Sequence, residues 1–263
     1  MQTETDNTRW YDRPWAAFIY FTRLPFRRIY KSPRASYNSA VEYWPLTGWL
    51  TGGLAALTLW GASHVMPYTV AVLAAIVVRL LATGAMLEDG LARFLGGFFG
   101  GKSRERILNL MDEPHLGIHG VAGLICYLLL LAAALCSLPL DLAVVTILAA
   151  DPFAKMVASE LVMMMPYAWR DVEPRGRVVF RRMDVKAGIG LAVQGLLPLV
   201  AFIWLTGAAW ELLVFIPCLV MYFLYLLIWR TIQGYTLDCC AAVSLLVELA
   251  FILVVCSQNF LPA

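Results

Sequence analysis

Two pairs of carboxylates bracket one polar stretch of the chain, residues 83–120. Glu88 and Asp89 lie near its start, and Asp112 and Glu113 lie near its end. Grouped carboxylates can hold Mg²⁺, which prefers oxygen ligands and bridges them to phosphate oxygens. The spacing therefore suggests a metal and phosphate site. A flexible loop with solvated charges is the alternative that the same spacing leaves open.

The same stretch contains groups that suit an anion. The glycines around Gly97 permit close backbone approach and expose N–H groups, as an anion cradle requires. Arg104 and Arg106 stand between the two acidic pairs and add positive charge. The glycines do not form the G-x-x-x-x-G-K-[ST] pattern of a P-loop. Gly97, Arg104 and Arg106 are therefore candidate substrate-binding residues outside the P-loop class.

Two later stretches add further candidates. In residues 230–242, Asp238 stands beside the last apolar run, where an ionised carboxylate is costly unless it has a partner. In residues 166–186, Arg175 belongs to a strongly basic run. Such a run is explained either as a positive-inside stop signal or as a grip on a diphosphate or an anionic lipid. Both explanations stay open.

The composition indicates the surroundings of these residues. Of the 263 residues, 61% are hydrophobic and 14% are charged, whereas soluble domains average about 45–50% and about 25%. The formal net charge of +2 is too small to indicate a nucleic-acid partner. The six cysteines show neither CxxC nor Cys/His spacing, so neither a zinc site nor a disulfide scaffold is indicated. The chain is predicted to be a membrane protein whose solvent is the lipid bilayer.

The elements that position the polar groups are expected to be helices, because a bilayer core about 30 Å thick needs about 20 helical residues per crossing. We predict one all-α domain over 1–263, a polytopic membrane bundle with about seven transmembrane helices. An aromatic run near 15–22, followed by arginines, predicts an interfacial helix within the N-terminal segment 1–43. Residues 88–116 and 166–187 are then expected to be cytoplasmic loops. The predicted spans are 44–64, 69–87, 117–137, 139–165, 188–206, 209–229 and 239–257.

Lysine and arginine are distributed on alternate connections. Seven precede the first predicted span, four lie in 88–116 and six lie in 166–187, whereas the short connections 65–68 and 207–208 contain none. The positive-inside rule then places the N-terminus in the cytoplasm and the C-terminus outside. A charged, water-soluble substrate reached from the cytoplasm is the natural inference.

Several charged residues fall inside the predicted spans. Arg79 and Asp151 lie at similar distances from the outer ends of their spans, so we predict that they pair within the bundle. A small-solute carrier that uses Arg79, Asp151 and Glu248 at mid-membrane is one alternative function. The one-sided polar segments argue against that alternative.

These segments, in this order, resemble the cobalamin synthase family, the adenosylcobinamide-GDP ribazoletransferases. The similarity runs over about residues 20–250, through an opening motif, an entry to the first span, an acidic signature with its closing glycines, and a C-terminal signature. In this chain they read FTRLP at 21–25, YWPLTGW at 43–49, EDGLA at 88–92, Leu116-Gly117 with Gly120, GYT at 234–236, DCC at 238–240 and Glu248-Leu249.

The resemblance implies a transferase of the cytoplasmic (inner) membrane. The 5′ oxygen of α-ribazole, or of its 5′-phosphate, attacks the phosphoryl group on adenosylcobinamide, and GMP leaves. It implies Mg²⁺ as cofactor and a corrinoid nucleotide and α-ribazole as partners, and it leaves a homo-oligomer open. For such a transferase the candidate residues are Asp89, Asp238 and Glu113 as catalytic, Glu88, Asp89 and Asp238 as metal ligands, and Gly97, Arg104, Arg106, Thr236 and Arg175 as substrate-binding.

The acidic signature also differs from the pattern that the family usually has. Leu87 stands where His is usual, and Arg93 and Gly96 stand where Asp is usual. These differences motivate a second alternative, a relative that binds a corrinoid or a partner protein without catalysing transfer. The transferase, the carrier and the non-catalytic relative each assign a different role to the same few charged residues.

Overall fold

The computed structural model describes residues 9–113, 115–169 and 178–260, which are almost wholly helical. Within these ranges the chain forms α-helices α1 to α11, and one 3-10 helix, Arg34–Tyr43, lies between α2 and α3. The helices are α1 Asp12–Phe21, α2 Phe26–Ile29, α3 Trp44–Ser63, α4 Tyr68–Thr83, α5 Met86–Gly100, α6 Arg104–Asp112, α7 Ile118–Cys136, α8 Leu140–Met164, α9 Val185–Thr206, α10 Trp210–Ile232 and α11 Leu237–Phe260.

The predicted all-α polytopic membrane bundle is confirmed. In the described ranges five helices, α7 to α11, are long and apolar enough to cross a membrane, and α4 with α5 would count as a sixth, broken span. The predicted number of seven is not reached among these residues. The first predicted span does form α3, but this helix, which contains three threonines and four glycines, is not among those apolar enough to count as a span.

The second predicted span, 69–87, is interrupted. The chain turns by 89° between α4 and α5, because Gly84 and Ala85 adopt left-handed φ values of 66° and 55°. The backbone N–H of Arg23 donates to the Ala82 carbonyl oxygen at 2.8 Å. A β-carbon on Gly84 would lie 2.1 Å from Cγ of Arg23. The N-terminal segment thus covers the bend, and only glycine fits beneath it.

Residues 88–116 are not the loop that was expected. Most of this segment is helical, in α5 and α6. The apolar residues Leu87, Leu91 and Phe94 recur at helical spacing on the buried face of α5. The glycines serve helix packing, since a β-carbon on Gly97 would lie 2.6 Å from Cγ of Met111 in α6. The glycines that suggested an anion cradle therefore lie mostly within helix α5.

Helices α8 and α11 form the centre of the bundle. In the most apolar part of each, 72% and 78% of the residues are buried, against 22–28% in α7, α9 and α10. Helix α3 packs closely on α8, where a β-carbon on Gly48 would lie 2.8 Å from Cα of Pro152. The outer helices α7, α9 and α10 present apolar surface outward, as a lipid environment requires.

Candidate functional site

Helices α5 and α11 touch where the two best sequence candidates lie. A β-carbon on Gly90 would lie 2.6 Å from Cβ of Ala241 and 3.3 Å from Cα of Asp238. The helix turns that carry Asp89 and Asp238 are therefore adjacent, although the two residues are far apart in the sequence. Gly90 permits this approach because it has no side chain.

A cleft of about 320 Å³ opens beside this junction. It is lined by two carboxylates, Asp112 and Asp238, by the guanidinium of Arg93 and by the rings of Tyr20, Tyr167 and Trp169. Flat aromatic surfaces and a few charged groups are typical of a site that binds a polar ligand with a ring system. The cleft is thus the candidate functional site.

Arg93 connects both ends of the acidic segment. Its Nε donates to Oδ2 of Asp89 at 2.7 Å, and its Nη1 donates to the carbonyl oxygens of Glu113 at 2.9 Å and Met111 at 3.2 Å. The Asp89 side chain is 50% exposed, and such exposed pairs contribute little stability. Arg93 was not among the residues predicted to have a site role, although its i, i+4 spacing from Asp89 indicates such a pair.

The two acids that end the segment have different positions. Asp112, one of the four grouped carboxylates, lines the cleft, although the family resemblance did not assign it a site role. The predicted catalytic residue Glu113 is instead 3.7 Å from Arg106, with Oε1 facing Nη1, and both side chains are about half exposed. Catalysis by Glu113 and substrate binding by Arg106 stay predictions.

Two predicted substrate-binding residues have structural contacts. Arg104 donates from Nε to the Ile232 carbonyl oxygen at 3.0 Å and from Nη2 to the Ala168 carbonyl oxygen at 2.7 Å. Thr236 lines the cleft, but its Oγ1 accepts the backbone N–H of Cys239 at 3.2 Å and so caps α11. Arg175, which was also predicted to bind substrate, lies outside the described residues.

A short backbone pairing forms one wall of the cleft. The N–H of Tyr235 donates to the Pro166 carbonyl oxygen at 2.8 Å, and the N–H of Ala168 donates to the Tyr235 carbonyl oxygen at 2.9 Å. A β-carbon on Gly234 would lie 2.8 Å from that Pro166 oxygen. The segment that leaves α8 is thereby joined to the segment that enters α11.

The phenols of the cleft stay protonated at neutral pH. Burial, and then the neighbouring Tyr167 and Asp238, raise the pKa of Tyr20 to about 12. Burial and the Asp238 carboxylate also raise the pKa of Tyr167. Both hydroxyls are therefore available as hydrogen-bond donors to an anionic ligand.

Glu88 does not belong to the cleft. It is 3% exposed, and its Oε1 lies 3.7 Å from Nη2 of Arg79. Its Oε2 is buried and has no hydrogen-bond partner among the described residues. Arg79 also donates to Oε1 of Glu248 through Nη1 and to the Tyr127 hydroxyl at 3.0 Å. We call these four side chains the buried cluster.

The predicted pairing of Arg79 with Asp151 is wrong. Asp151 instead forms an ion pair with Lys155 on its own helix, and it accepts a hydrogen bond from Thr51. Similar depth in the membrane did not ensure contact, because depth does not specify which face of a helix a residue occupies. Arg79, Asp151, Lys155 and Glu248 all have partners, so the carrier alternative cannot rely on an unpaired charge among them.

The predicted metal ligands do not all meet. Among residues 9–113, 115–169 and 178–260, no group of three or more His, Cys, Asp or Glu side chains is placed to hold a metal ion. Glu88 faces Arg79, which leaves Asp89 and Asp238. Since Mg²⁺ is often held by one or two carboxylates together with substrate phosphates, these two residues fit such a site, and Glu88 does not.

Comparison with known proteins agrees with the resemblance. A sequence model described as cobalamin-5-phosphate synthase matches residues 13–256. Proteins named adenosylcobinamide-GDP ribazoletransferase are 31% identical over 242 residues in Shewanella frigidimarina, covering 91% of this chain and 92% of the relative. One from Ralstonia nicotianae is 33% identical over 192 residues, covering 72% and 74%. No solved structure matches the chain. The chain belongs to the cobalamin-5-phosphate synthase family.

Proposed function

We propose that the protein is a membrane-embedded adenosylcobinamide-GDP ribazoletransferase. It transfers the phosphocobinamide moiety to α-ribazole or its 5′-phosphate and releases GMP. The observation that carries this proposal is the cleft at the junction of α5 and α11, where two family motifs bring Asp89, Arg93 and Asp238 to one place. Its charges and aromatic rings match substrates that contain a diphosphate and an aromatic base.

The reaction exchanges one phosphorus–oxygen bond for another. The ribazole 5′ oxygen bonds to the phosphoryl group on the cobinamide side, the bond to the GMP oxygen breaks, and the hydroxyl proton passes to a cleft carboxylate. Phosphoryl transfer depends mainly on positioning and on neutralising charge. We assign Arg93 to the diphosphate, because a guanidinium binds phosphate oxygens with two parallel N–H groups.

The aromatic wall and the two acids take the remaining roles. Tyr20, Tyr167 and Trp169 offer ring faces to the ribazole base, and the two tyrosines offer protonated hydroxyls to its ribose. Asp89 and Asp238 would hold Mg²⁺, which supplies charge neutralisation at the phosphate oxygens when bound. Asp112 and Asp238 line the cleft and are the carboxylates within it that could accept the proton.

The test is product formation by the purified protein in detergent. The assay supplies adenosylcobinamide-GDP, α-ribazole and Mg²⁺, and it follows cobalamin and GMP by chromatography. We expect the rate of the Asp238→Asn variant to fall by roughly 10- to 150-fold, since each strong charge contact contributes about 1.5–3 kcal/mol. The matched control is Asp141→Asn, an exposed carboxylate at the start of α8. Equal rates for the two variants would contradict the assigned site.

The Asp89–Arg93 ion pair favours a second candidate function. This pair already neutralises the carboxylate that is needed for a metal, so the protein could bind the corrinoid nucleotide without transferring it. Calorimetric titration with adenosylcobinamide-GDP, combined with the product assay, distinguishes this binding function from the transferase. Binding with no cobalamin at any Mg²⁺ concentration would support the binding function and refute the transferase.

A further inference from the structure

An aromatic groove of about 600 Å³ lies on the opposite side of α1 from the core. It is formed by α1, by Phe26 of α2 and by the first two turns of α3, and its lining is almost wholly apolar. The side chains that shape it include Trp10, Trp15, Phe18, Phe26, Trp49 and Leu50. The proposed reaction does not use this groove.

A basic patch adjoins the groove in the sequence. Arg27 and Arg28 directly follow Phe26, and both are exposed. Neither has an ion-pair partner in the part of the chain that the structure describes. Arg13 provides a contrast, because its Nη1 lies 3.4 Å from Oε2 of Glu42. Two unpaired cations beside an apolar groove favour an anionic head and an apolar tail in the same ligand.

An exposed stripe continues from the groove along α3. Trp49, Leu57 and Trp60 are 42%, 63% and 52% exposed, and their spacing places them with Gly53 on one face of the helix. A β-carbon on Gly53 would meet nothing within 4 Å. Gly53 therefore leaves the helix backbone uncovered between Trp49 and Leu57.

We propose that this groove is a binding site for an anionic phospholipid. The headgroup phosphate binds Arg27 and Arg28, and one acyl chain lies in the aromatic groove and continues over Gly53. Tryptophan side chains are typical of the membrane–water interface, and basic residues at that interface attract anionic headgroups. The proposal is independent of the transferase activity.

The test is lipid binding by the full chain, measured by native mass spectrometry with dioleoylphosphatidylglycerol or dioleoylphosphatidylcholine as the probe. We expect Arg27→Gln/Arg28→Gln to weaken phosphatidylglycerol binding by roughly 10- to 30-fold, since each basic residue near a surface contributes about 1 kcal/mol. Phosphatidylcholine binding should change little. The control with the same loss of charge is Lys186→Gln/Arg230→Gln, at two exposed residues of other helices.

A second pair of variants tests the acyl-chain path. Gly53→Leu covers the helix backbone between Trp49 and Leu57 and should weaken binding of both lipids by several-fold. Gly61→Leu is the matched control on the same helix, because a β-carbon there also meets nothing within 4 Å. Both should fold, since leucine is a better helix former than glycine. Equal losses in the two double variants that remove positive charge, no preference for phosphatidylglycerol, or no difference between the two leucine variants would each overturn the proposal. Displacement of bound lipid by α-ribazole would identify the groove as a substrate site instead.

Discussion

Glu88 and Asp89 are neighbours on one helix, yet they lie in opposite surroundings. Glu88 points into the buried cluster with Arg79 and Glu248, between helices that lie within the bundle. Asp89 points outward, half exposed, and pairs with Arg93 at the cleft. Consecutive helical positions differ by about 100° around the axis, so one acidic pair in the sequence serves two separate regions.

The two regions differ in what their charges can do. A buried ion pair strongly constrains the fold, because removing one partner leaves an uncompensated charge away from water. An exposed pair constrains it little and leaves both groups able to exchange partners with a ligand. The buried cluster is therefore a structural device that connects α4, α5 and α11, while the Asp89–Arg93 pair is suited to binding.

The largest effect is expected from breaking the buried cluster. Arg79→Met leaves Glu248 and Glu88 without their cation, and the free energy of unfolding should fall by about 3–5 kcal/mol. The free energy of unfolding is measured in detergent, and Arg230→Met, at an exposed position, is the control. A loss below about 1 kcal/mol would show that the cluster does not support the fold.

Breaking the exposed Asp89–Arg93 pair should reduce activity and leave the free energy of unfolding almost unchanged. Asp89→Asn should reduce the transfer rate by about a hundredfold, yet change the free energy of unfolding by less than about 0.5 kcal/mol. Glu88→Gln should retain most of the activity, because its side chain does not reach the cleft. Rates and unfolding curves on the same preparations test both. Loss of activity in Glu88→Gln without loss of stability would contradict the assignment of Glu88 to the buried cluster.

A double-mutant cycle tests which charged residues are paired inside the bundle. Asp151 and Lys155 should show a coupling energy of about 1–3 kcal/mol, whereas Asp151 and Arg79 should be additive within about 0.5 kcal/mol. The variants are Asp151→Asn, Lys155→Met and Arg79→Met, with their pairs. Stronger coupling of Asp151 to Arg79 than to Lys155 would contradict the observed ion pairs.

The smallest effect concerns the contact between the regions. Gly90→Ala places a methyl group against Ala241, so α5 and α11 must separate, at a cost of about 1–3 kcal/mol. The control is Gly96→Ala on the same helix, where the nearest atom to a new β-carbon is 3.9 Å away. Thermal unfolding measures both, and equal melting temperatures would show that the tight junction is not needed.

Composition was enough to predict the fold class, because the apolar helices of this bundle must span a bilayer. It could not show the bend after Thr83, since Ala85 adopts a left-handed conformation that alanine rarely takes. The helical nature of 88–116 was hidden by glycines that pack against α6. In both places the local structure is determined by tertiary contacts and not by the local sequence.

The site could be predicted only in part. Asp89 and Asp238 were selected by family resemblance, and spacing alone could not bring together residues from α5 and α11. No sequence signal indicated the direction in which Glu88 points. The partner predicted for Arg79 was wrong, because helical spacing indicates depth in the membrane and not the face of the helix on which a residue lies. Asp112 was visible as an acid, but its place in the cleft depends on how α6 packs.

The backbone pairing of Tyr235 with the segment after α8 has a mechanical consequence. Its two hydrogen bonds join the segment that precedes α11 to the segment that follows α8, so we expect these two segments to move together. Any widening that admits a bulky corrinoid must then come from the facing side, where α1 contributes Tyr20 and α6 contributes Asp112. We therefore expect any widening of the cleft to involve α1 and α6, while the two paired segments stay together.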